Sequence, residues 1–225
     1  MWNGTPVARR AHEGLRSEQS GFTLIEMVVA VGIFAIFMSL FLSAVIGLTR
    51  GTTQAKLNAE TSSEVLIVFR AMDRQVRYAD AINFPGVGSS GAKYVEFRTP
   101  SSSSVSGLTM CTQWRFTPAK GTMESRQWQD IAGATPSPWS VKTASMIDTA
   151  GANYPFKMAP ATTTGSARQQ LVLTLNAGNP DANAVSEVST TYVARNSSIL
   201  SESNADANGD GQSDHLICNR TGLRP

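Results

Sequence analysis

Charge is scarce in this chain where its absence says most. Between Phe22 and Leu48, a run of 27 residues, Glu26 is the single ionisable side chain. Proline is missing from Phe22 through Tyr78, so no ring blocks a helix anywhere in that stretch. Histidine and cysteine are rare, with two of each in 225 residues. His12 lies in the polar N-terminal segment, and His215 alone cannot build a metal cluster. No glycine-rich phosphate loop, nucleophile elbow or Cys/His ligand spacing occurs. These absences argue against an enzyme. A net charge of +2 is too slight to call for nucleic acid, and Arg115, Lys120, Arg126 and Arg195 do not cluster along the chain.

Apart from Glu26, the run FTLIEMVVAVGIFAIFMSLFLSAVIGL is apolar or small. As a helix, 27 residues would extend roughly 40 Å, more than the ~20 residues needed to cross a bilayer. Ahead of it, residues 1–21 are polar, carry Arg9, Arg10 and Arg16, and end in Ser20-Gly21. An ordinary secretory signal places small residues after its apolar stretch. Here the small residue comes before, so a cut after Gly21 leaves the apolar helix on the mature protein. By the positive-inside rule the basic segment stays cytoplasmic, and everything after the helix is exported.

The helical pattern continues beyond Arg50-Gly51. Val65, Val68, Phe69, Met72, Val76 and Ala79 trace one stripe, with Glu64, Arg70, Asp73, Arg74 and Arg77 mostly off it. The spacing predicts one helix over about 22–80, apolar all round in its first half and amphipathic in its second, ended by Pro85 and GVGSSGA. Strand alternation follows in YVEFR (94–98), GLTMCTQWRF (107–116), TMESRQW (122–128), QLVLTL (170–175) and EVSTTYVA (187–194). The expected fold is α+β: a long N-terminal helix whose amphipathic half packs on a C-terminal antiparallel sheet. The expected domains are a leader (1–21), a membrane or filament-core helix (22–50), its amphipathic continuation (51–84) and an exported β-rich domain (85–225).

Gly21-Phe22-Thr23-Leu24-Ile25-Glu26, followed by the apolar helix, resembles the processing motif of type IV prepilins and of the pseudopilins of type II secretion. The resemblance is specific over roughly residues 17–50 and architectural beyond them. It implies that a membrane prepilin peptidase cuts after Gly21 and N-methylates Phe22. It also implies partners: other pilins or pseudopilins in a filament, and an inner-membrane assembly platform. The chain would be the peptidase's substrate, first a single-pass protein of the cytoplasmic membrane and then part of a surface pilus or pseudopilus. Its length fits a minor pilin or one of the larger, J-like pseudopilins better than a major pilin. The competing reading is a pilus-associated adhesin or a DNA-uptake pilin whose globular domain binds a ligand.

A carboxylate inside a membrane-spanning segment costs at least ~2.5–3.5 kcal/mol, which marks Glu26 as functional by default. Cleavage creates an amine at Phe22, and the amine of a neighbouring subunit could pair with Glu26 and set axial register. The plainer alternative is a side chain that snorkels to the interface. Gly32 and Gly47 suit either local melting on assembly or close helix–helix approach. Cys111 and Cys218 both fall in the exported part, where an even count suggests a disulfide, with two free thiols as the alternative. No cofactor is required. The loop Asp206, Asn208, Asp210, Gln212, Asp214, with Gly211 at its turn, has the oxygen spacing of a calcium site, though Ile217 stands where an EF-hand has its bidentate Glu. A solvated Asx/Gly turn reads the same way.

Overall fold

The computed structural model describes residues 21–149, 151, 153–179, 184–219 and 223–225. Apart from Gly21, the predicted leader lies outside them. The contacts divide the chain into two compact units, with the division between Arg50 and Gly51.

Helix α1 runs from Leu24 to Arg77. In the first unit every residue from Gly21 to Arg50 is exposed, apolar side chains included. This helix is long and apolar enough to cross a membrane. Gly32 and Gly47 are helical, and a Cβ added at either would meet nothing within 4 Å. Ser39, Ser43 and Thr49 turn their hydroxyls back onto helix carbonyls (Ile36, Ser39 and Val45, each 2.8 Å). Their polar atoms are thereby satisfied without solvent, as an apolar medium requires.

In the second unit the helix does bury one stripe. Thr61, Val65, Val68, Met72 and Val76 are buried, and Phe69 is half-buried beside them. Leu66 and Ile67, off the stripe, are half exposed. The stripe packs with Trp114, Phe116 and Met123 from one sheet and with Leu171, Leu173, Leu175 and Tyr192 from another, in one core. Tyr192 also donates its hydroxyl to the Phe69 carbonyl at 3.2 Å.

The first sheet has the order β1-β3-β4-β5-β6, with β2 also pairing on β3. Its strands are β1 (Ala81–Ile82), β2 (Gly86–Val87), β3 (Lys93–Thr99), β4 (Met110–Thr117), β5 (Thr122–Gln129) and β6 (Ser140–Thr143). The second sheet is β7 (Phe156–Ala159), β8 (Gln170–Asn179) and β9 (Ala184–Val193), in that order. Every pairing is antiparallel.

The fold class is as expected, and three details differ. Two sheets take the place of one. The helix stops at Arg77, well before Pro85, because Asp80 N–H turns to the Arg98 carbonyl (2.9 Å) and Ala81–Ile82 pairs with β3. Alternation in EVSTTYVA puts Val188, Thr190, Tyr192 and Ala194 on one face; Tyr192 and Ala194 are buried, while Val188, at the far end of the hairpin, is 39 % exposed. Short strands such as β1, β2, β6 and β7 carry too few residues for alternation to show.

The outer face of β4 is covered as well. Cys111 and Gln113 are buried there, beneath a C-terminal segment whose Ile217, Cys218 and Leu223 form a second cluster with Cys111, Ala81 and Trp128.

Candidate functional site: the helix N-terminus and its motif

Thr23 immediately precedes the first helical residue, and Glu26 is the third residue of the helix. Their bonds are reciprocal: Glu26 N–H donates to Thr23 Oγ1, while Thr23 N–H and its hydroxyl both donate to Glu26 Oε2, each at 3.3 Å. The Thr23 carbonyl accepts the first helical bond, from Met27 N–H at 3.2 Å. This is a capping box, which satisfies backbone donors that the start of any helix leaves orphaned. The negative charge also lies at the positive end of the helix dipole. Sequence reasoning assigned Glu26 to assembly and overlooked Thr23, although T-x-x-E ahead of an apolar run is a legible capping signature.

Gly21 has open space around it: a Cβ added there would meet nothing within 4 Å. Phe22 is 82 % exposed and Leu24 is 83 % exposed, so the peptide after Gly21 is accessible on this chain. A profile of the prokaryotic N-terminal methylation motif matches residues 16–42. This is a prepilin-type N-terminus. The motif covers the end of the polar approach, Gly21-Phe22, the capping box and most of the apolar run, through Leu42. No curated protein and no solved structure shows significant similarity to the chain.

The two cysteines are joined. Cys111 and Cys218 form a disulfide with Cα atoms 5.7 Å apart, across a sequence separation of 107. Asp130 carries a carboxylate near both sulfurs, but cysteines spent in a disulfide offer no thiolate to a metal.

The acidic loop lies on the surface, with Asn208, Asp210, Gln212 and Asp214 exposed and Asp206 partly so. Its side-chain oxygens face backbone donors. Asp206 accepts from Asp210 N–H (3.0 Å) and Gly211 N–H (3.0 Å), and Asn208 Oδ1 accepts from Asp210 N–H at 3.1 Å. Asp210 accepts from Gln212 N–H (2.8 Å), and Asp214 accepts from Ala207 N–H (2.9 Å). Gly209 and Gly211 take positive φ (72° and 77°), left-handed turn conformations that glycine adopts without strain. Among the described residues, the three aspartates do not form a close carboxylate triplet.

Of the four cations, Arg115 and Arg126 do come together, both against the Trp139 ring (4.0 and 4.3 Å from its centroid). Both are engaged within the protein, Arg115 with Glu124 (2.7 Å) and Arg126 with Gln113 Oε1 (2.7 Å). Lys120 and Arg195 are exposed.

Proposed function

We propose that this chain is a structural subunit, a minor one, of a type IV pilus or type II secretion pseudopilus. It is cut after Gly21, methylated on Phe22 and assembled through the 22–50 helix. The match of the methylation motif to residues 16–42 carries the reading. Two facts support it. The apolar segment of the first unit is exposed along its whole length, a surface that lipid or neighbouring helices would cover. The disulfide fits an exported, oxidising location for the second unit. Glu26 then pairs with the new amine of a neighbouring Phe22. The acidic loop, by its donor spacing, takes calcium, and calorimetry at millimolar calcium showing no heat would remove that assignment.

Mass spectrometry of the chain co-expressed with a prepilin peptidase tests the processing step. The wild-type product should begin at a methylated Phe22. Gly21→Val should remain uncut and still fold, because a side chain at Gly21 has room. Efficient cutting of Gly21→Val, or a product beginning elsewhere, would count against the proposal.

A further inference from the structure

A groove of about 550 Å³ opens in the second unit between the last helical turns and the β3–β4 loop. Volumes of ~300–1,000 Å³ are typical of small-ligand sites. Arg74, Gln75 and Tyr78 form one wall, the serine loop 103–106 the other, and Met110 and Gln127 help line the space between. No acidic side chain is among the described lining residues.

The polar groups here are preset as donors. Gln75 Oε1 accepts Trp114 Nε1–H at 2.9 Å, and an indole nitrogen can only donate, so the amide orientation is forced and its NH₂ is left over. Arg74 is exposed and has no partner among the described residues, so its five N–H donors are unspent. The serine wall is held in place. Ser103 and Ser104 N–H both donate to the Pro100 carbonyl (2.9 and 3.0 Å), and Gly107 N–H donates to Ser104 O at 3.1 Å. Asn196 Nδ2 bridges the two walls, donating to Tyr78 O (2.9 Å) and Ser103 Oγ (3.1 Å). Because Ser103 Oγ accepts there, its proton is free to point elsewhere.

We infer that this groove binds an acidic glycan, with Arg74 on a uronate carboxylate, Tyr78 against a sugar face, and Gln75 and Ser103 on ring hydroxyls. A guanidinium fork matches a carboxylate bidentately. The half-exposed Tyr78 ring presents a negative face to the C–H side of a pyranose. A lone phosphate or sulfate would use Arg74 and leave most of the volume, the tyrosine and the hydroxyl wall without a role. The inference does not depend on which filament the chain serves.

Calorimetric titration of the full chain in neutral detergent, with short galacturonic acid oligomers and with neutral galactose oligomers, tests it. The acidic oligomer should saturate one site, and the neutral one should bind about tenfold more weakly, the loss expected for one charge-assisted hydrogen bond. Arg74→Gln and Tyr78→Ala should each weaken the acidic oligomer several-fold or more. Arg70→Gln, one helical turn away and outside the groove, should leave it unchanged. Thermal melts confirm folding of each variant, which the exposure of both side chains favours. Lack of saturable binding, equal binding of the neutral oligomer, or equal losses from Arg70→Gln and Arg74→Gln would overturn the inference.

Discussion

At Glu26 one carboxylate can serve two purposes, and they separate by charge. As a capping group it needs only an acceptor oxygen, and glutamine at this position caps as well as glutamate. As the partner of a neighbouring amine it needs a formal charge. Glu26→Gln should therefore keep the helix start intact yet lose incorporation into filaments, scored by shearing and immunoblotting. Thr23→Ala removes the other half of the box, should cost about 0.5–2 kcal/mol of local stability, and should leave incorporation largely intact. Normal filaments from Glu26→Gln would reduce Glu26 to a cap. A second single-residue test concerns Tyr154. Burial raises its phenol pKa to about 12, chiefly by desolvation, while its hydroxyl donates to the Ile147 carbonyl at 2.7 Å. A raised pKa means that the folded state holds the proton more tightly than the unfolded one. Its stabilisation is whole below the ordinary value near 10 and is lost as pH climbs toward 12. Tyr154→Phe should flatten that part of an alkaline melting curve, and an unchanged slope would show that other groups govern it.

The helix is the element whose sequence spoke most clearly. Its inward stripe repeats at helical spacing over several turns, and Val65, Val68, Met72 and Val76 were all legible from that period. Met72 is fully buried and Leu66 is 51 % exposed, so the two positions make a matched test. Met72→Ala should cost about 2–5 kcal/mol, whereas Leu66→Ala should stay within about 0.5 kcal/mol in urea melts of the full chain. Equal costs would mean that the outward face is also covered in solution. Other elements were harder to read. Strands of two to four residues carry no period, and division into two sheets depends on which hairpins separate, which local pattern does not encode. The capping box is written in the sequence as Thr23-x-x-Glu26, where a single carboxylate carries both the cap and the charge inside an apolar run. The groove could not have been read at all, since its walls come from the helix and from a serine loop that looks like an ordinary turn.

At the scale of the whole second unit, the least legible feature is the clasp on residues 223–225. Glu96 sits in YVEFR where alternation makes it an outward, solvated charge, yet it is fully buried. Its partner, Arg224, is 128 residues away and meets it at 2.6 Å and 3.1 Å, while Gln113 and Asn83 donate to the same carboxylate (2.8 and 3.1 Å). Gly86 and Gly88 leave the space that the tail uses, for a Cβ at Gly88 would stand 2.4 Å from the Pro225 carbonyl. The tail is thus held twice, by this ion pair and by Cys111–Cys218. In the chain-entropy view, a cross-link over a loop of this length contributes about 4–5 kcal/mol by restricting the unfolded state. Removing one partner of a buried ion pair costs about 3–5 kcal/mol, because the other charge is stranded. The two act on different states. Replacing both cysteines by serine should lower global stability while the folded tail stays docked and resists protease. Glu96→Gln should release residues 223–225 locally even with the disulfide intact, exposing them to carboxypeptidase. If Glu96→Gln leaves the tail protected and the cysteine pair alone controls digestion, the disulfide is the clasp and the ion pair merely fills the space beneath it.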